Sequence, residues 1–212
     1  MILRKKRWGS CRLYLILDAQ VCSYDKLFEV LKSASLSGVD IVQLRDKLGT
    51  ARDILRFTER ALAWLKGRVP FIVNDRVDLA LLSGASGVHL GQEDISVPEA
   101  RRVLGHRRII GVSCQTLGHV RRAGREGADY IGFGSVFKTL TKPERSPMDL
   151  KLLRRVRKEA RVPVFAIGGI TRDNLPLVRA SGIGRIAVCR DILLADDVAL
   201  SVGYLKTMLT AA

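Results

Sequence analysis

Eight short apolar runs, each followed by a stretch with helical spacing, recur along the chain about every 25 residues. They cover residues 13–17 (LYLIL), 39–44, 71–73, 88–90, 109–112, 128–133, 162–167 and 185–189. The runs are continuous rather than alternating, the pattern of strands buried on both faces, and alternation with helices requires those strands to be parallel. Gly38, Gly67, Gly84 and Gly127 stop the helical stretches, and Pro98 sits early in one, where its missing N–H costs little. Eight such units predict an α/β chain closed into a (β/α)8 TIM barrel, near the short end of the usual length. One domain is expected over 1–212, with 1–11 a short basic N-terminal extension and the last helix over 195–209. An open doubly wound sheet is the competitor. It would carry a Gly-rich dinucleotide fingerprint after the first strand, and Leu17-Asp18-Ala19-Gln20 is nothing of the kind.

Nearly half of the 212 residues are apolar, yet no run approaches the length of a membrane span. The basic start, MILRKKRW, has no long apolar stretch after it, so neither a secretory signal nor a membrane partner is expected. Cys11, Cys22, Cys114 and Cys189 are scattered without metal-ligand rhythm, which suits reduced thiols in a cytoplasm. His89, His106 and His119 show no ligand spacing. The net charge of +15 comes from arginine clusters at 101–102, 107–108, 121–125 and 154–157, mostly on expected outer helix faces or helix-to-strand turns. Attraction of polyanions is one reading of these and a solvated basic surface is the other. Few aromatics interleave with the arginines, so the solvated surface is favoured and nucleic acid is not the expected partner. A homo-oligomer is neither required nor excluded.

In such a barrel the C-terminal ends of all strands face one mouth, where chemistry sits. The first signal is the segment 71–94, FIVNDRVDLALLSGASGVHLGQED, whose two strands end at Asp75 and Asp94. Two carboxylates on one rim can hold a hard cation through oxygen, or each can cap the helix that follows. The stretch alone does not choose between these. The second strand delivers Gln43, Arg45 and Lys47, which period-two alternation would aim at one spot and which suit a phosphate or pyrophosphate. A surface salt-bridge segment around Asp46 is the alternative, outweighed by Asp75 and Asp94 on the same rim. Ser113 adds a hydroxyl after the fifth strand. After the sixth, Thr139 and Thr141 alternate with Lys142, more than helix capping needs. Gly168-Gly169 with Thr171, and Cys189-Arg190 after the eighth strand, suit a phosphate cradle of backbone amides, against an ordinary tight turn. The mouth would then carry two anion sites on opposite sides, as a catalyst joining two phosphorylated molecules requires.

These residues together resemble the thiamine phosphate synthase (thiamine-phosphate pyrophosphorylase) family over about 13–194. The resemblance rests on QLRDK at 43–47, NDRVDLA at 74–80, GVHLGQED at 87–94, GVS at 111–113, GSVFKTLTK at 134–142 and AIGGI at 166–170. It implies a Mg2+-dependent transferase acting on 4-amino-2-methyl-5-(diphosphooxymethyl)pyrimidine and a thiazole phosphate, giving thiamine phosphate and pyrophosphate. Position by position, Asp75 and Asp94 match the Mg2+ ligands. Gln43, Arg45, Lys47, Asn74, Ser113 and Lys142 match contacts to the pyrimidine diphosphate. Thr139, Thr141, Gly168, Gly169, Cys189 and Arg190 fall on the thiazole-phosphate side. Lys138 stands where family members often have Pro, and Arg190 where Ser is common. Two alternatives remain: a thiazole tautomerase-like relative, which does not need Asp75, Asp94, Lys47 and Lys142 together, and a polyanion-binding protein on the same fold.

Overall fold

Strand β1 (Leu13–Asp18) is buried along its whole length, and its side chains divide between two compartments. Leu13, Leu15 and Leu17 face the surrounding helices, while Tyr14 and Ile16 point into the barrel. The same division recurs in β2 (Ile41–Arg45), β3 (Phe71–Asn74), β4 (Gly87–Leu90), β5 (Ile109–Cys114), β6 (Tyr130–Phe133), β7 (Val164–Ile167) and β8 (Ile186–Val188). Burial on both faces explains why the runs read as continuously apolar. The coordinates, a computed structural model, describe residues 10–140 and 146–210. All eight strands are parallel and pair in chain order, and β1 closes on β8 with Leu13 in register with Ile186. The expected (β/α)8 barrel is the architecture found.

Helices α1 (Tyr24–Leu36), α2 (Ala51–Leu65), α3 (Val77–Leu82), α4 (Val97–Leu104), α5 (Leu117–Glu126), α6 (Leu150–Glu159) and α7 (Leu175–Ala180) alternate with the strands. Side-chain caps start several of them: Ser23, Thr50, Thr116 and Asp149, and a capping box of Ser96 with Glu99 ahead of α4. The eighth unit departs from expectation. A four-residue helix, α8 (Arg190–Leu193), follows β8 directly, and the last helix, α9 (Val198–Thr210), begins three residues later than the apolar pattern suggested. Leu200 and Tyr204 on α9 are largely exposed, which blurs its apolar stripe. The second strand begins later than expected, at Ile41, and just before it the Asp40 carboxylate accepts the backbone N–H groups of Arg12 and Leu13. Of the basic extension, residues 1–9 lie outside the described residues, and Cys11 is buried at the foot of the barrel. Among the described residues no helix is long and apolar enough to cross a membrane.

The barrel interior is aromatic. Tyr14, Tyr130 and Phe165 meet edge to face, with centroids 5.5–5.6 Å apart. Gly111 makes this possible, because a Cβ there would overlap the Tyr130 ring. The rings plug the barrel and form the floor of the mouth.

Candidate active site

Above that floor lies a cavity of about 280 Å3, open at the C-terminal ends of the strands. Its wall contains nine of the expected site residues: Gln43, Arg45, Asn74, Ser113, Thr139, Gly168, Gly169, Cys189 and Arg190. Thr141 and Lys142 lie outside the described residues. Lys47, Asp75 and Asp94 stand on the rim beside this cavity rather than in its wall.

The expectation that Gln43, Arg45 and Lys47 aim at one spot needs correction. The strand ends at Arg45, so period-two alternation does not reach Lys47. Gln43 Nε2 donates to the Tyr14 hydroxyl at 2.7 Å, deep in the barrel. Arg45 turns toward β1, donating to Asp18 at 2.8 Å and to Gln20 at 2.9 Å. Lys47 turns the other way and pairs with Asp75 after β3. Among the described residues Asp46 makes no salt bridge; it accepts from the Tyr24 hydroxyl at 2.5 Å and from the backbone of Leu48 and Gly49.

Asp75 and Asp94 do come together. Burial, and next the Asp94 carboxylate, raise the Asp75 pKa above the ordinary carboxylate value, while Lys47 works against both. Neither aspartate caps a helix: Arg76 precedes α3 without a side-chain cap, and Ser96 caps α4. Asp94 instead accepts from Gly91 N–H at 2.6 Å, which folds the loop back over the end of β4. Asp75 adopts φ +61°, a left-handed conformation that few non-glycine residues take and that recurs at ligand sites. Its backbone N–H donates to His89 O at 2.8 Å, tying β3 to β4 at the rim. Among the described residues no three His, Cys, Asp or Glu side chains converge, so there is no all-protein metal cage. Two adjacent carboxylates on the rim nevertheless fit Mg2+, which commonly uses one or two carboxylates and fills its shell with water and substrate phosphate.

The opposite wall is built from interleaved loops. Val136 N–H donates to Ile167 O and Phe137 N–H to Gly168 O, each at 2.9 Å. Gly168 and Gly169 both have positive φ, and a Cβ on Gly169 would overlap the Lys138 carbonyl oxygen. Only glycine fits there. Asn174 braces the turn, donating to Gly169 O at 2.8 Å and accepting from Thr171 N–H at 3.0 Å. Among the described residues the next helix after Thr139 is α6, which starts behind Asp149.

Sequence reasoning missed a buried polar chain beneath the cavity. It runs from Gln43 to Tyr14, to Tyr130 at 2.8 Å, to His89 Nδ1 at 2.9 Å, and from His89 Nε2 to Ser113 Oγ at 3.0 Å. Gln43 Nε2 can only donate, so the Tyr14 oxygen accepts. The direction of the remaining bonds is set by the tautomer of His89. Burial raises the pKa of both tyrosines, which keeps the phenols protonated. Gln92 supports the same corner, donating to Ser113 O at 2.5 Å and accepting from Arg122. Arg122 is thus drawn from its basic cluster to the mouth. The sequence signal that could have found the chain was parity: Tyr14 and His89 share a pleat face with Ile16 and Gly87, respectively.

With this geometry in place, comparison with known proteins is informative. The family model described as thiamine monophosphate synthase matches residues 13–192. The chain belongs to that family. It is 44% identical over 211 residues to the thiamine-phosphate synthase of Synechococcus sp. (strain WH7803), covering 98% of this chain but 59% of that protein. The chain therefore spans less than two thirds of that relative's length. A thiamine-phosphate synthase of Alkaliphilus oremlandii is 38% identical, with 92% of this chain and 93% of that protein covered. Among solved structures, the thiamine phosphate pyrophosphorylase of Pyrococcus furiosus superposes with a TM-score of 0.86 at 31% identity, covering 95% and 96% of the two chains.

Proposed function

We propose that this member of the thiamine monophosphate synthase family condenses the pyrimidine diphosphate with the thiazole phosphate, giving thiamine phosphate and pyrophosphate. The observation that carries this reading is the meeting of Asp75, Asp94 and Lys47 on one rim of a cavity whose far wall is the Gly168-Gly169 loop. A diphosphate and a monophosphate can be held facing each other across it.

Asp75 and Asp94 are the residues that would hold Mg2+, which would neutralise charge on the diphosphate. Lys47 and, from its place in the TLTK motif, Lys142 would donate to the same group and favour its departure, with Arg45 joining them only by turning away from Asp18. The methylene–oxygen bond breaks with its electron pair going to pyrophosphate. The amino-substituted pyrimidine ring delocalises the positive charge left on the methylene carbon, and the thiazole nitrogen closes the new bond with its lone pair. No protein nucleophile is needed. Gln43, Asn74 and Ser113 orient the pyrimidine substrate, with Gln43 and Ser113 held at the two ends of the polar chain described above. Gly168, Gly169, Thr139, Thr141, Cys189 and Arg190 hold the thiazole phosphate. The four free cysteines accord with a cytoplasmic location.

The test is to mix the purified chain with both substrates, with and without Mg2+, and follow pyrophosphate and thiamine phosphate. Product in the presence of the metal is expected. A properly folded chain that forms none under any metal condition refutes the reading.

A further inference from the structure

The Lys47 ammonium pairs with the Asp75 carboxylate, the place a metal ion shared by Asp75 and Asp94 would take. Both carboxylates are fixed from the backbone. Asp75 N–H donates to His89 O at 2.8 Å, and the Asp94 carboxylate accepts Gly91 N–H at 2.6 Å. Neither placement depends on Lys47. Two carboxylates brought together repel each other, and Lys47 is the cation that offsets Asp75 here.

The two cations that β2 delivers differ in freedom. Arg45 donates to Asp18 and Gln20, and the side chains of the Arg45–Asp18 pair are only 11% and 1% exposed. The Lys47 side chain is 46% exposed. Asp46 anchors the loop beneath it, accepting the Tyr24 hydroxyl and the N–H groups of Leu48 and Gly49. The backbone at Lys47 is thereby held while its four-carbon stem can swing.

Ammonium and metal ion compete for Asp75. Together they would bring three positive charges to two carboxylates, and Mg2+ demands near-ideal octahedral placement of its oxygens. Once the metal holds Asp75, the ammonium needs another anion. A diphosphate on the same metal offers its oxygens to a charge-assisted bond at that spot.

We propose that Lys47 is a resident counter-ion of the metal site, displaced from Asp75 by the metal and received by the diphosphate. Metal and diphosphate then strengthen each other's binding through one side chain. The exchange rests on Asp75 and Asp94 being the metal-holding pair, as proposed above.

The test uses Mn2+, which shares the preference of Mg2+ for oxygen ligands, at pH 8, where protons compete least for the carboxylates. In the first arm the bare ion is titrated into the full chain and the unbound fraction is read by electron paramagnetic resonance. Lys47→Met should bind about tenfold more tightly than wild type, since one competing charge has gone. Lys47→Arg keeps that charge and should bind like wild type. In the second arm the preformed complex of Mn2+ with inorganic pyrophosphate is titrated by calorimetry. Here the sign reverses, and Lys47→Met should bind about tenfold more weakly. A lysine that only touched phosphate would leave the first arm unmoved, and one that only held the rim together would weaken both.

Adding Asp94→Asn to Lys47→Met should abolish the gain for the bare ion. Circular-dichroism melts report the fold, and Lys47→Leu takes the place of Lys47→Met if that variant unfolds. The proposal falls if the folded variant binds bare Mn2+ no more tightly than wild type, or if the gain survives Asp94→Asn. Absence of Mn2+ binding by every form, with and without pyrophosphate, overturns the metal-holding pair as well. Formation of thiamine phosphate by wild type, measured separately, tells failure of the exchange from failure of the proposed reaction.

Discussion

The hydroxyls of Tyr14 and Tyr130 lie 2.8 Å apart in the barrel interior, although the residues are 116 positions apart in the chain. This bond links Gln43 on one side of the floor to His89 and Ser113 on the other. Tyr130→Phe removes the central hydroxyl while keeping the ring, so the Tyr14 hydroxyl and His89 Nδ1 each lose a buried partner. We expect a loss of about 1–3 kcal/mol in stability, read by urea unfolding. Turnover should also fall, because His89, which bonds Ser113, loses a partner that holds its ring.

Asp75→Asn tests the rim. Asparagine accepts the left-handed φ of +61° better than alanine does, so the fold survives while the charge proposed to hold Mg2+ is removed. Turnover should drop about a hundredfold or more, as for loss of a charge-stabilising group, measured as pyrophosphate release. The stability effect has the opposite sign. Folding raises the Asp75 pKa, so its ionised form costs stability at pH above the raised value and that cost fades as pH falls through it. Without metal at pH 7, Asp75→Asn should therefore melt no lower than wild type.

Gly169→Ala places a methyl group against the Lys138 carbonyl in a backbone conformation that L-residues avoid. A cost of about 1–3 kcal/mol is expected. The displaced loop should raise KM for the thiazole phosphate more than KM for the pyrimidine diphosphate, which steady-state kinetics with each substrate varied in turn will separate.

Cys114 is completely buried, and burial pushes its thiol pKa up to about 12. Only the thiolate alkylates, and the thiol form persists at all pH values below that figure. Iodoacetamide at pH 8 should leave Cys114 unmodified in the native protein while the half-buried Cys22 reacts, with peptide mass spectrometry as the readout.

Arg101 shows why part of the basic charge has nothing to do with ligands. It donates to Asp129 at 2.8 Å, to Arg108 O at 2.6 Å and to Gly105 O at 3.1 Å, and Asp129 also accepts from Ile110 N–H. Arg101→Ala leaves a nearly buried carboxylate short of its cation, at a cost of about 3–5 kcal/mol. Thermal denaturation should show that loss, with kcat at 25 °C little changed.

The barrel could be read before any coordinates because parallel strands buried on both faces have to be apolar throughout, and glycines marked where the intervening helices stop. The pairing of Asp75 with Asp94 was legible for the same reason: parallel strands deliver their C-terminal ends to one edge. The glycines at 168–169 were visible too, though not the close approach of Lys138 that makes glycine necessary. Past the last residue of a strand the rule lapsed. Arg45 and Lys47 share a parity in sequence yet turn to different carboxylates, because beyond the sheet no backbone ladder holds the alternation. The Gln43–Tyr14–Tyr130–His89–Ser113 chain joins residues from separate units. Periodicity is a local property and determined the elements; hydrogen-bond partners and shared cavities depend on distances between units, which only closure of the barrel decides.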